Sequence, residues 1–212
     1  MISTDVAVQF VLVSLVLGFA PGPDNAYVLM QSAISGTRRG MAVTLGLCTG
    51  LVAHTAAVAL GVAAIFQASE LAFTLLKVIG AGYLLYLAYG AFKASAHAGS
   101  SLETSEAPAE KSLRALYLRG ILMNITNPKV GMFFLAFLPQ FVRPESGPVP
   151  LQIVQLGVLF MLVTVVSFGL IALMAGQLSG WLRRSPRAFP IMNGLVGCVF
   201  VGMAIKLATA QR

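Results

Sequence analysis

Gly18-Phe19-Ala20-Pro21-Gly22-Pro23-Asp24-Asn25 interrupts an apolar run that extends from residue 6 to 34. Without the interruption the run reads as one membrane-spanning helix, since about 20 apolar residues cross about 30 Å of hydrocarbon. The two prolines break it. A proline inside a helix removes an N–H donor and clashes with the carbonyl four residues back, so Pro21 and Pro23 free the carbonyls of Leu17 and Phe19. Freed backbone groups are tolerated at membrane depth only where protein or a water-filled cavity satisfies them. Asp24 follows directly, and a charge at a helix centre costs about 2.5–3.5 kcal/mol on insertion scales.

A second interruption, Asn124-Ile125-Thr126-Asn127-Pro128-Lys129, falls inside the apolar run 120–141. Pro128 frees the carbonyl of Asn124, and Lys129 is again a charge placed just after a proline. At about 1.5 Å of rise per residue, Asp24 lies about 15 Å from residue 34, and Lys129 about 15 Å from Arg119. Both charges therefore stand at one height near the midplane, where they are expected to line one cavity and to pair. A structural reading runs alongside: Asp24 as N-cap of the restarted helix, and Asn127-Pro128 as an N-cap with proline at the first helical position.

Outward from the two breaks, six apolar segments emerge: 6–34, 41–66, 71–92, 120–141, 151–178 and 189–207. The expected fold is an all-α membrane protein of six transmembrane helices, one transporter domain over 1–212. Halves 1–95 and 112–212 are joined by the polar linker 96–111. Three spans per half make the second half run opposite to the first, an inverted repeat whose first and fourth helices are broken. Interrupted helices at matching positions point to a binding site in such folds.

Arg38, Arg39, Lys93, Lys111, Arg114, Arg119, Arg183, Arg184 and Arg187 fall on one side of this topology. Arg143, Lys206 and Arg212 fall on the other. Lys/Arg-rich loops stay in the cytoplasm, so both termini are expected in the periplasm or outside. Residues 1–5 carry no Lys or Arg, and no small-residue cleavage site closes a short apolar region, so the first run reads as a permanent span.

Composition agrees with lipid as the solvent. Of 212 residues 58% are hydrophobic and 10% charged, and the mean hydropathy is +0.86. A soluble domain carries about 25% charged residues. The net charge of +7 is a loop property set by topology, not a nucleic-acid footprint. Cys48 and Cys198 lie in apolar stretches as expected free thiols, and with His54 they lack metal-ligand spacing. No nucleophile–base pair, phosphate loop or HExxH stands in the chain, so neither an enzyme nor a cofactor is expected.

Several stretches together resemble the LysE/RhtB family of bacterial amino-acid exporters. They are Gly18-Phe19-Ala20-Pro21-Gly22-Pro23, Gly36-Thr37-Arg38-Arg39-Gly40, Lys77-Val78-Ile79-Gly80-Ala81-Gly82-Tyr83-Leu84 and Asn124-Ile125-Thr126-Asn127-Pro128-Lys129. The resemblance covers nearly the whole chain in order and spacing. It implies a six-helix efflux carrier for amino acids or close derivatives, driven by the proton-motive force. The neutral branch of the family handles threonine, homoserine and homoserine lactone; other branches handle basic amino acids or cadmium.

On this reading Pro21, Gly22, Pro23, Asp24, Asn25, Asn124, Asn127, Pro128 and Lys129 form the substrate site. The substrate's carboxylate meets Lys129 and the helix restart at Pro128, and its ammonium meets Asp24 and the freed carbonyls. Asp24 is the proton carrier, charged facing one side and neutral facing the other, with His54 as a second candidate against the alternative of an interhelical hydrogen bond. Lys77 reads as a snorkelling lysine, and Trp181 with Arg183 and Arg184 as an interfacial anchor. Gly46-Leu47-Cys48-Thr49-Gly50 reads as a small-residue packing face, which suits packing within one chain or a homodimer. A neutral amino acid or its lactone is favoured over a basic one, because no second intramembrane carboxylate is present. A channel and a non-transporting membrane scaffold remain the rival classes.

Overall fold

The structure, a computed structural model, describes residues 1–68, 70–96, 112–175, 177, 185 and 187–209. Among these residues the secondary structure is helical, with no strand. The helices are α1 (Thr4–Phe19), α2 (Pro23–Ser35), α3 (Thr37–Ala68), α4 (Glu70–Ala96), α5 (Leu113–Thr126), α6 (Pro128–Met132), α7 (Val149–Leu173) and α8 (Ala188–Thr209). A π-helical turn, Phe133–Phe137, and a 3-10 turn, Leu138–Phe141, continue α6. Most of the expected linker, 97–111, lies outside the described residues, as do Trp181, Arg183, Arg184 and the side chain of Lys77.

The broken spans form where the prolines put them. At 16 residues, α1 is about 24 Å long and too short to cross alone. It stops at Ala20, whose N–H turns back to the Leu17 carbonyl at 3.3 Å. Gly22 is extended (φ −176°, ψ 174°) and Pro23 restarts the chain as α2, bent 62° from α1. The other pair is bent by 50° between Leu113–Thr126 and Pro128–Phe141. Pro128 again occupies the first helical position, after the N-cap Asn127. Together with Thr37–Gly61, Val149–Leu173 and Pro190–Thr209, the bent pairs make five elements long and apolar enough to cross a membrane. The third expected span, 71–92, falls on α4, 27 residues long.

One boundary moves. The fourth span begins not near Gly120 but at Leu113, under the N-cap Ser112, whose hydroxyl accepts the Ala115 N–H at 3.2 Å. Arg114 and Arg119 disguised that turn as loop, since a helix end in the headgroup layer tolerates basic residues that a span interior does not. At the end of α2 the chain reverses through Gly36, where φ of +88° places it in the left-handed region that favours glycine.

Packing is pairwise. α3 lies against α5 and α7, α1 and α2 against α7, and α4 against α8. Gly46 and Gly120 let α3 and α5 approach backbone to backbone. Two apolar clusters flank the breaks. One gathers Phe10 of α1, Phe133, Phe134, Phe137 and Phe141 beyond α6, and Phe160 of α7. Its rings stand 5.1 Å apart for Phe10–Phe141 and Phe133–Phe160. The other gathers Val28 and Leu29 of α2, Val43 and Leu47 of α3, Leu116 of α5 and Phe168 of α7. Leu12, Leu60, Val78, Leu162 and Leu195 point outward, as side chains do when lipid is the solvent.

The N-terminus and the 143–147 loop share one face. The Met1 ammonium donates to the Ser146 carbonyl at 2.8 Å, the Ile2 N–H to Gln155 at 3.1 Å, and Arg143 meets Asp5 at 3.2 Å. Gln152 fastens the loop, accepting from the Arg143 N–H and donating to the carbonyls of Arg143 and Gly147.

Candidate functional site between the two helix breaks

The breaks face each other and are joined in both directions. Asp24, the second residue of α2, is buried, and its carboxylate accepts a hydrogen bond from the Asn127 side-chain amide at 2.7 Å. Asn127 is also the N-cap of α6: its Oδ1 accepts the Lys129 N–H at 3.0 Å. That bond fixes the amide, because only the oxygen end can accept, so the NH2 end is the one turned to Asp24. In return the Lys129 ammonium reaches back and donates to the Ala20 carbonyl at 3.3 Å. The first break thus holds the second by a carbonyl, and the second holds the first by an amide.

Asp24 and Lys129 are brought together but not into direct contact. No ion pair within 4.0 Å links them: the Asp24 carboxylate is held by the Asn127 amide and the Lys129 ammonium by the Ala20 carbonyl. The structural alternative for Asp24 does not hold, since Gly22 and not Asp24 is the N-cap of α2. The cap reading of Asn127 does hold, and the same side chain still engages the acid.

Several carbonyls around the breaks have identified donors. Leu17 is satisfied by its own chain, as above. The Gly18 carbonyl accepts from the Asn25 side chain at 2.6 Å, and that of Ala20 from Lys129. On the other break, the Asn124 carbonyl accepts the Asn127 N–H at 3.1 Å and faces His54 Nε2, also at 3.1 Å. A carbonyl only accepts, so His54 carries its proton on Nε2. Its ring rests 5.6 Å from that of Phe134.

Every residue expected to bind substrate lies at one break or the other, whereas His54 lies within α3 and reaches the second break from there. Asp24, Asn25, Asn124 and Asn127 are buried; Pro21, Gly22 and Lys129 are half-buried; Pro23 and Pro128 are exposed. The buried oxygens Asn25 Oδ1, Asn124 Oδ1, Tyr27 Oη and Gln31 Oε1 have no hydrogen-bond partner among the described residues, which leaves acceptor capacity near the first break and toward the C-terminal half of α2. Two contributors escaped the sequence reading. Ala20 acts through its carbonyl, for which the only signal is its place before Pro21. Gly50 makes room for Asn124: a Cβ there would lie 2.7 Å from the Asn124 Cβ.

Comparison with known proteins agrees with this architecture. A family model described as LysE type translocator matches residues 15–211. A Vibrio cholerae protein named an uncharacterized membrane protein is 36% identical over 95% of this chain and 96% of its own length. A protein of Salmonella typhimurium named a homoserine/homoserine lactone efflux protein is 31% identical over 95% of each. No solved structure matches. A model spanning nearly the whole chain, on an all-helical membrane fold with two proline breaks, is decisive: the chain belongs to the LysE type translocator family.

Proposed function

We propose that this protein is a secondary exporter of amino acids or their close derivatives, working by proton antiport through the site between the breaks. The observation that carries the reading is the reciprocal pair of bonds, Asn127 to Asp24 and Lys129 to Ala20, which ties a carboxylate and an ammonium into one junction of the two breaks. A zwitterion fits that polarity. Its ammonium is placed at Asp24 and the carbonyls of Gly18 and Ala20, and its carboxylate at the Lys129 ammonium. The homoserine and homoserine lactone named for the Salmonella typhimurium relative support a neutral amino acid or lactone as cargo.

Asp24 is the proton carrier: ionised, it holds the substrate ammonium; protonated, it releases it. His54, the second candidate, has Nε2 engaged on the Asn124 carbonyl, a placement that favours a holding role. One charge crossing 100 mV is worth about 2.3 kcal/mol, enough for a substrate gradient of roughly fifty-fold per proton.

The architecture proposed for this cycle is a 3+3 inverted repeat of six spans in the bacterial inner membrane, with both termini outside. The packing pattern supports it. Exchanging first span with fourth, second with fifth and third with sixth turns α3–α5 into the packing of α7 on α1 and α2, and leaves α3–α7 and α4–α8 unchanged. Asp24 and Lys129 each follow a proline at the same helical position, 105 residues apart.

Efflux from preloaded vesicles tests the reading. Asp24→Asn abolishes proton-dependent efflux and Lys129→Gln weakens it. Wild-type rates in both variants remove the two residues from the mechanism. Saturable, gradient-dependent counterflow separates a carrier from a channel, and proton flux elicited by an added amino acid rules out a scaffold.

A further inference from the structure

We infer that Tyr27 and Gln31 of α2, with Arg119 of α5, form a loading station that takes up a zwitterion before it reaches Asp24. The inference rests on the exporter reading above and adds to it a second binding place on the proposed cytoplasmic side.

On α2, Asp24, Tyr27 and Gln31 stand at positions i, i+3 and i+7, a spacing that puts them on one face of the helix. Gln31 lies about 10 Å of helical rise beyond the acid. Asp24 is 5% and Gln31 2% exposed, and the Tyr27 hydroxyl is buried with them. Asp24 has a donor in Asn127. Gln31 Oε1 and Tyr27 Oη have no hydrogen-bond partner among the described residues. A buried acceptor without a donor is costly, so the two oxygens suit a donor that comes and goes.

Arg119 meets the same face from α5. Its guanidinium stands over the Tyr27 ring, 4.7 Å from the centroid, on a side chain that is itself exposed. Stacking uses the flat side of the guanidinium and leaves its N–H fork able to take a carboxylate in two parallel bonds. The cation is on the exposed side and the acceptors are on the buried side. A zwitterion therefore enters ammonium first, with its carboxylate on Arg119 and its ammonium on Tyr27 Oη and Gln31 Oε1. From the level of Tyr27, Asp24 is about 4.5 Å further along the helix. The halves of the broken spans that run to the other face meet differently. There Phe10 of α1 packs on Phe133 and Phe141, at 6.0 and 5.1 Å between ring centroids, and these rings offer nothing to either charge.

Transport into inside-out membrane vesicles, which present the proposed cytoplasmic face to the probe, tests the station. L-homoserine and L-homoserine lactone are the probes: both carry an amino group, and only the first carries a carboxylate. Gln31→Leu is expected to raise KM for both about tenfold, the worth of one hydrogen bond to a charged group. Its thermal stability in detergent should hold or rise, because leucine removes an unpartnered buried acceptor. Arg119→Lys keeps the positive charge at the membrane surface but loses the planar fork. It is expected to raise KM for L-homoserine about three- to tenfold and to leave that for the lactone where it was. From the opposite face, in right-side-out vesicles, neither variant should shift KM. If the leucine variant fails to fold, the lysine variant carries the test alone.

Wild-type KM in the folded variants, equal shifts for the two probes in Arg119→Lys, or equal shifts from the two faces overturn the inference and leave the exporter reading standing. Wild-type protein that transports neither probe nor any amino acid overturns both.

Discussion

His54 Nε2 lies 3.1 Å from the carbonyl oxygen of Asn124, the carbonyl that Pro128 deprives of its intrahelical donor. The bond ties α3 to α5 where the fourth span is interrupted. The Asn124 carbonyl also receives the Asn127 N–H, so losing the histidine does not strip it bare. His54→Leu is then expected to destabilise by about 0.5–1.5 kcal/mol, the net worth of one hydrogen bond, in thermal unfolding in detergent. His54→Gln keeps an amide donor and loses less. Gln carries no titratable proton, so intact proton-coupled efflux in this variant assigns His54 to holding the break, and uncoupled efflux assigns it to the proton path.

Gly22 separates geometry from strain. Its extended backbone (φ −176°) is open to any residue, so an alanine there meets no conformational penalty. A Cβ would, however, stand 3.1 Å from the Lys129 ammonium nitrogen. The lysine tip is flexible and yields, moving off the Ala20 carbonyl. Gly22→Ala should therefore express and fold as the wild type does, while amino-acid affinity drops by about three- to tenfold, short of a whole charged hydrogen bond. An affinity unchanged in equilibrium binding would show that Lys129 does not need its present position.

Gln152 is a structural counterpart on the face that carries the N-terminus. It is 1% exposed and makes three hydrogen bonds to the 143–147 loop. Gln152→Leu preserves bulk but leaves an N–H and two carbonyls seeking partners, at about 1–3 kcal/mol for each that stays buried. Lower thermal stability and faster proteolysis within 143–147 are expected, with the Met1–Ser146 contact released in the same step. Equal stability and equal proteolysis would mean the loop resolves its bonds with water.

The breaks were legible because proline has one physical meaning inside an apolar run, and the spacing of Pro23-Asp24 and Pro128-Lys129 can be counted. Their joining was not. The partner of Lys129 is the Ala20 carbonyl and that of His54 the Asn124 carbonyl, and backbone atoms have no letter in a sequence. Asn127 was legible as a cap, yet its free amide end could be aimed at Asp24 only once two spans were placed side by side. Nothing in the sequence marks Gln152 apart from other polar residues near a span end, and the π-helical turn after α6 leaves no pattern among phenylalanines. Side-chain chemistry at a break is written in the sequence; the cross-chain bond that uses it is a property of packing.

The crossing of α3 and α5 sets how rigidly His54 is held against Asn124, and two glycines control it. A Cβ on Gly120 would run into the Val43 carbonyl, with the Gly46 Cα and Leu47 N each 3.0 Å away. A Cβ on Gly46 would run into the Tyr117 carbonyl. Backbone atoms in two packed helices cannot step aside as a lysine tip can, so the helices must part. Gly120→Ala is expected to cost about 1–3 kcal/mol, the range for overpacking a filled site, and to loosen the His54 bond with it. Gly82 on α4 has nothing within 4 Å of the equivalent point. Gly82→Ala should instead gain a few tenths to about 1 kcal/mol from helix propensity. Unfolding the two variants side by side in one detergent separates the effects, and a Gly120→Ala protein as stable as the Gly82→Ala protein would show that the close crossing is not needed.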